Sequence, residues 1–348
     1  MKSFVKLALP MVLGAALSAP AWARDLTVVS WGGVFQDAQR EVFFQPFTAA
    51  SKLPLKEDSW DGGVGALRAK VQAGDANNWD VVQVEADELA VGCEEGLFEK
   101  IKPGTVGGAS RYFPGMLSEC GVPANIFSIV AAYDADKFKT APQSWADFWD
   151  VKKFPGKRAM RSGPKMNLEF ALMADGVAPD KVYDTLKTPA GVDRAFAKLE
   201  QLKPYIVWWT SGNQPMQLLG SGEVAMTTSY NGRIPAANAA DKRNFKVVWK
   251  GAMLNHDSWV VLRGSKQAAD AVKFLEFFGR PEVQSKWPAK LNYGVGVVKA
   301  QEMIPAEAAK NLPSAPENLK QALPLSADFW LDSIDKLQPR FATWAAAK

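Results

Sequence analysis

The chain has 348 residues, 47% of them hydrophobic and 22% charged, with 41 Lys plus Arg against 37 Asp plus Glu. At roughly 100–200 residues per domain this is an ordinary globular composition with length for about two domains, and so balanced a charge excludes a protein that neutralises many phosphates. One His, His256, and two Cys, Cys93 and Cys120, exclude two-imidazole zinc sites, four-thiolate zinc sites and iron–sulfur clusters.

Residues 1–23 read as a secretory leader. Lys2 and Lys6 precede an apolar run from Leu7 to Ala19, and Ala21-Trp22-Ala23 fits a small-x-small cleavage site. The mature chain is then expected to begin near Arg24, in the periplasm. No later stretch approaches the run of about 18 apolar residues that a membrane-spanning helix needs. In an exported chain two cysteines usually pair. A Cys93–Cys120 bridge would close a loop of about 26 residues and contribute ~3 kcal/mol in the loop-entropy picture; two buried free thiols are the alternative.

Asp25 to Ser30 is a short β-branched strand broken by Trp31-Gly32-Gly33. Asp37 to Thr48 carries apolar residues at helical spacing. Leu53 to Asp58 reads as a second strand, Val64 to Ala73 as a helix stopped by Gly74, and Trp79 to Val84 as a third strand. Strands alternating with helices predict βαβ units and a mainly parallel sheet, an α/β fold. Beyond these come a strand at Ile129–Tyr133, a helix after Ser144, and helices over Asn167–Asp175 and Ala190–Leu202. Strands follow at Glu223–Ser229, Phe245–Trp249 and Trp259–Leu262, then helices over Asp270–Phe278 and Ala327–Trp344. No repeat or long linker appears, so the chain is expected to cross between its two domains more than once. Ligands of open α/β sheets bind beyond the carboxyl ends of the strands. That rule picks out Trp31–Gly33, Gln83–Asp87, Tyr230–Arg233 and the approach to Trp259.

The leader, Leu26-Thr-Val-Val-Ser-Trp-Gly-Gly33, Trp79-Asp-Val-Val82, Ala132-Tyr-Asp-Ala-Asp-Lys-Phe138, Ser144-Trp-Ala-Asp-Phe-Trp149, Ala171-Leu-Met-Ala-Asp-Gly176 and Gly222-Glu-Val-Ala-Met226 stand in a telling order. The chain thereby resembles the periplasmic solute-binding proteins of ABC importers, in the spermidine/putrescine-binding branch of the type II group. The resemblance covers nearly the whole mature chain. It implies two α/β lobes joined by crossing strands, a ligand cleft between them, and hinge closure that presents the closed form to an inner-membrane permease. The expected division is 24–133 with 258–300 as one lobe, and 134–257 with 301–348 as the other. It implies no catalytic residue, metal or cofactor, no nucleic-acid partner and no insertion into the membrane, and a monomer.

Polyamine sites of this family use carboxylates for ammonium groups and aromatic faces for the methylene chain, as hydrogen bonding and cation–π attraction require. On that pattern Asp257 is the leading carboxylate, with a hinge-capping Asp as its plainer reading. Glu85 is the second, with a solvated charged turn as the alternative. Trp31, Tyr230, Trp209, Trp259 and Tyr293 are candidate cleft aromatics, each with core packing as the alternative; His256 reads as structural. The surplus of Trp, 13 in all, supplies more candidates than a cleft needs. Arg233 departs from the pattern. A guanidinium repels a polycation but grips a carboxylate with two parallel hydrogen bonds. If Arg233 faces the cleft, the ligand carries an acid as well as an amine, as γ-aminobutyrate does; an interlobe salt bridge is the alternative. The main expectation is therefore a polyamine receptor, with γ-aminobutyrate as the alternative ligand. Iron is disfavoured because Tyr230 is followed by Asn231 and not a second Tyr. A carbohydrate-active enzyme is the minor alternative, with Glu85 and Asp257 as its carboxylate pair.

Overall fold

The computed structural model describes residues 24–74 and 77–347. The expected leader, residues 1–23, lies outside the described residues. Eight strands form the body of one mixed sheet: β1 Leu26–Ser30, β2 Leu55–Ser59, β3 Val81–Glu85, β4 Gly121–Asp134, β5 Arg158–Arg161, β6 Ile206–Trp209, β7 Met226–Tyr230 and β8 Phe245–Val261. Their order is β2-β1-β3-β8-β4-β7-β5-β6. Among these eight, parallel pairing is confined to two outer groups, β2-β1-β3 and β7-β5-β6. The pairs β3–β8, β8–β4 and β4–β7 are antiparallel. The sheet is thus less parallel than the alternation of strands and helices predicts.

The difference comes from two strands. β4 has 14 residues and β8 has 17, and they run side by side through both halves of the molecule. The predicted segments Phe245–Trp249 and Trp259–Leu262 belong to the same strand, β8. Gly251, with φ 73°, sits between them where the register with β4 shifts between Ile129 and Ala131. Asn255-His256-Asp257 is polar but pairs with Phe127, Ile126 and Asn125 inside the sheet. A glycine and a polar triplet imitate a turn in the sequence, yet here they are a bulge and a buried crossing point.

The upper end of β8, beside β3, packs on the helix Ala268–Phe278. Trp259, wholly buried, meets Phe44, Phe274 and Phe278 there. The second half packs β5 to β7 against its own helices, with Trp145 stacked on Phe170 at 3.8 Å. The expected disulfide between Cys93 and Cys120 is present. It ties the helix Ala86–Glu94 to the residue before β4.

The tail meets both halves. The helix Ala306–Ala309 packs on the Trp287–Ala289 turn of the first half. A short strand, β9 (Leu323–Pro324), pairs with Met253 and Leu254 of β8. The helix Ala327–Ala346 lies on the helix Ala86–Glu94 of the first half. It also reaches the second half, where Trp330 Nε1 donates to Glu169 Oε1 at 2.8 Å.

Candidate functional site

The carboxyl ends of β1, β2, β5, β6 and β7 converge where β4 and β8 cross. At the end of β1 the chain turns through Gly32 and Gly33, with φ of 63° and 55°. A Cβ on Gly33 would lie 2.1 Å from the Asn213 side chain, which follows β6 in the other half. The two halves therefore touch at a position that admits no side chain. Between them lies a pocket enclosing about 380 Å³ including its mouth, lined by Trp31, Phe35, Trp60, Asp61, Asn125, Phe127, Arg161, Thr210, Gly212, Tyr230, Arg233, Asp257 and Tyr293.

Five of the residues expected from the sequence meet in this pocket: Trp31, Tyr230, Arg233, Asp257 and Tyr293. Trp31 stacks on Trp60 with centroids 5.2 Å apart, making a flat indole wall. Trp60 Nε1 donates to the Gln83 carbonyl at 3.1 Å, which fixes that wall to β3. Tyr293 stacks on Trp287 and meets Phe35 edge-on.

Asp257 is 3% exposed. Its Oδ2 accepts from Trp31 Nε1 at 3.2 Å and from Gln83 Nε2 at 2.9 Å. Its Oδ1 has no partner among the described residues, and neither has Asn125 Nδ2 beside it in the pocket wall. Burial, and then the negative charge of Glu85, push the Asp257 carboxyl well above the usual carboxylate range. A buried acceptor left unpaired costs about 1–3 kcal/mol, and a ligand that donates to it recovers that energy.

Arg233 is also 3% exposed. It lines the pocket. One of its terminal nitrogens donates to Asn213 Oδ1, and the other to the Trp31 carbonyl at 3.3 Å. Its Nε is unpartnered. The guanidinium lies 5.8 Å from the ring centroids of Phe35 and Tyr230. No carboxylate among the described residues forms an ion pair with it. A buried guanidinium held by neutral oxygens alone keeps its affinity for an acid.

Glu85 has a different situation from the one expected. It is not in the pocket wall, and its carboxylate is already saturated. Arg161 Nη1 is 2.8 Å from its Oε1, Lys165 Nζ is 2.6 Å from its Oε2, and the Tyr230 hydroxyl donates to Oε1 at 3.0 Å. Burial alone would raise its pKa, but Lys165 and Arg161 hold it down at about 2. A solvated turn does not describe it either, because Glu85, Asp87 and Glu88 are all buried.

Two aromatic candidates are core residues. Trp209 is buried in the second half, where its Nε1 donates to Thr228 Oγ1 at 3.2 Å. Its neighbour Trp208 points to the other side of the sheet, onto Phe341 and Trp344 of the tail helix. Trp259 belongs to the first core described above. In each case strand alternation puts one side chain inward, and inward here is the apolar layer.

Trp60, Asp61, Arg161 and Thr210 escape a reading of the sequence although the strand-end rule covers them. They follow or end β2, β5 and β6. β5 is four residues, Arg-Ala-Met-Arg, with a charge at each end, and carries no apolar alternation to announce it.

A family profile described as bacterial extracellular solute-binding protein matches residues 43–315. A γ-aminobutyric acid-binding protein of Pseudomonas aeruginosa PAO1 is 42% identical over 96% of this chain and 94% of its own. A spermidine/putrescine-binding periplasmic protein of Escherichia coli K12 is 24% identical over 63% of each chain. Among solved structures, an ABC transporter substrate-binding protein from Bradyrhizobium japonicum USDA 110 has TM-score 0.83 and 38% identity over 92% of this chain and 99% of that one. A structure described as the Atu4243 GABA receptor has TM-score 0.81 and 30% identity over 93% and 99%.

Proposed function

The chain belongs to the bacterial extracellular solute-binding protein family, and we propose that within it this chain is the periplasmic receptor for γ-aminobutyrate or a close ω-amino acid. It is a substrate-binding protein of an ABC importer and not an enzyme. The polyamine ligand expected first from the sequence gives way to the alternative. The relative named for γ-aminobutyrate is far more similar than the one named for polyamines.

The observation that carries this reading is the pairing of two buried, opposite, unsatisfied groups in one pocket. Asp257 Oδ1 lacks a donor and Arg233 Nε lacks an acceptor. An ammonium supplies donors to the first and a carboxylate supplies acceptors to the second. The Trp31–Trp60 wall covers methylene groups between them and attracts the ammonium. A diamine would place a cation beside Arg233. The glycosidase alternative needs a second available carboxylate, and Glu85 has its oxygens committed to Arg161, Lys165 and Tyr230.

Closure of the two halves would carry the ligand to a membrane permease. Calorimetric titration with γ-aminobutyrate, putrescine, spermidine and butyrate tests the ligand. γ-Aminobutyrate is expected to bind at least about tenfold tighter than any of the others, because each competitor leaves either Asp257 or Arg233 without an oppositely charged partner. Putrescine or spermidine binding tighter than γ-aminobutyrate would overturn the reading.

A further inference from the structure

The ligand pocket shares Asp61, Arg161 and Thr210 with a neighbouring cavity that runs on to Asp87, Glu88 and Lys165. The wall between the two is an ion cluster that spans the cleft. Glu85 and Asp87 come from the end of β3 and the helix after it; Arg161 and Lys165 come from the end of β5 and the loop after it. Lys165 Nζ is 2.6 Å from Glu85 Oε2 and 2.8 Å from Asp87 Oδ1, and Arg161 Nη1 is 2.8 Å from Glu85 Oε1.

The loop that delivers Lys165 is braced for the task. Asn167 Nδ2 donates to the Arg161 carbonyl at 2.6 Å and to the Gly163 carbonyl at 2.7 Å. Met166, next to Lys165, has φ 71°, a left-handed conformation unfavourable for a side chain of that size. Such strain persists only where the surrounding structure enforces it.

We propose that Arg161 and Lys165 are specificity determinants: they are the chain's own cations, seated on Glu85 and Asp87 so that neither of these buried carboxylates is free for the second ammonium of a diamine. Lys165 Nζ stands on Glu85 and Asp87 as a primary ammonium ligand would, three donors directed at carboxylate oxygens. Asp257 is then the one buried carboxylate in the pocket wall open to an incoming amine, Asp61 being solvent-exposed, and the buried part of the site accepts one ammonium. The proposal extends the ω-amino acid reading to the end of the cleft away from Arg233, and its test involves no amino acid.

The test replaces Arg161→Gln and Lys165→Met together and titrates putrescine and cadaverine by calorimetry against the parent protein. Diamine affinity is expected to rise by about tenfold or more, since one charge-assisted hydrogen bond to a buried carboxylate is gained. Adding Glu85→Gln and Asp87→Asn together should remove the gain. Should the double variant fail to melt cooperatively, Lys165→Met alone decides, with a gain of about threefold expected from freeing one of the two carboxylates. Unchanged or weaker diamine binding in a folded variant overturns the proposal, as does a gain that survives the loss of both carboxylates. Tight diamine binding by the parent also overturns it. Failure of γ-aminobutyrate to bind the parent would sink the proposed ligand and leave this result standing.

Discussion

Glu85 and Asp257 face each other as register partners on β3 and β8. Both are buried carboxylates at the crossing of the two halves, and they have opposite fates. Glu85 is surrounded by Arg161, Lys165 and the Tyr230 hydroxyl, and stays ionised. Asp257 has Trp31 and Gln83 on one oxygen, nothing on the other, and is pushed toward its protonated form. The lesson is that residue type and depth do not make a ligand carboxylate. The lack of an internal counter-ion does.

The contrast can be broken from its stronger side first. Asp257→Ala is expected to weaken γ-aminobutyrate binding by about a hundredfold or more, because truncating one partner of a buried charge pair costs about 2–5 kcal/mol. Calorimetry reads this directly. Arg233→Ala should cost about thirtyfold for γ-aminobutyrate while sparing or improving putrescine, since only the amino acid loses a charge-assisted partner. Trp60→Ala should weaken binding about fivefold, the range of a partly desolvated cation–π interaction and its methylene cover. Gln83→Leu probes the Asp257 side alone: it removes one of the two donors on Oδ2 and should weaken amine binding less than Asp257→Ala does.

Protonation sharpens the same comparison. A ligand ammonium binds ionised Asp257, and the raised pKa of the empty site means a proton must leave first. Affinity should therefore rise with pH up to that raised pKa and level off above it. In the ligand-free protein the folded state holds this proton more tightly than the unfolded chain. The stability it contributes is full below the unfolded carboxylate pKa and is lost as pH rises through the folded one. Glu85 has the opposite sign: its contribution is full above the unfolded value of 4.5 and is lost as pH falls toward about 2. Asp257→Asn should make the decline of melting temperature at rising pH shallower, the remainder coming from Glu88 and Glu169, whose carboxyls burial pushes up to about 7, and saturating γ-aminobutyrate should reduce it in the parent. An Asp257→Asn melting profile that declines as steeply as the parent's would assign the effect elsewhere.

Local order carries much of this into the sequence. β1, the glycine turn after Trp31, the helix after Ser144 and the tail helix are set by short-range patterning, and each is close to where periodicity and punctuation place it. The strand-end rule finds Trp31, Tyr230 and Arg233 because each ends a strand or lies within three residues of its end. Asp257 and Tyr293 come through the family resemblance. What stays hidden depends on pairing between distant segments. β8 reads as two strands because its polar centre is satisfied only by β3 and β4. Glu85 looks available because Lys165 and Arg161, some 80 positions away in the chain, meet it only in the folded molecule. Trp209 and Trp259 look like cleft walls because the choice of face on a strand is made by its neighbours, not by its own residues.

The most direct test of the central claim is a crystal structure with γ-aminobutyrate bound. The ammonium should lie within hydrogen-bonding distance of Asp257 Oδ1, the carboxylate on the Arg233 guanidinium, and Glu85 should keep Arg161 and Lys165 as its partners. A ligand ammonium on Glu85, or a carboxylate held away from Arg233, would contradict the account.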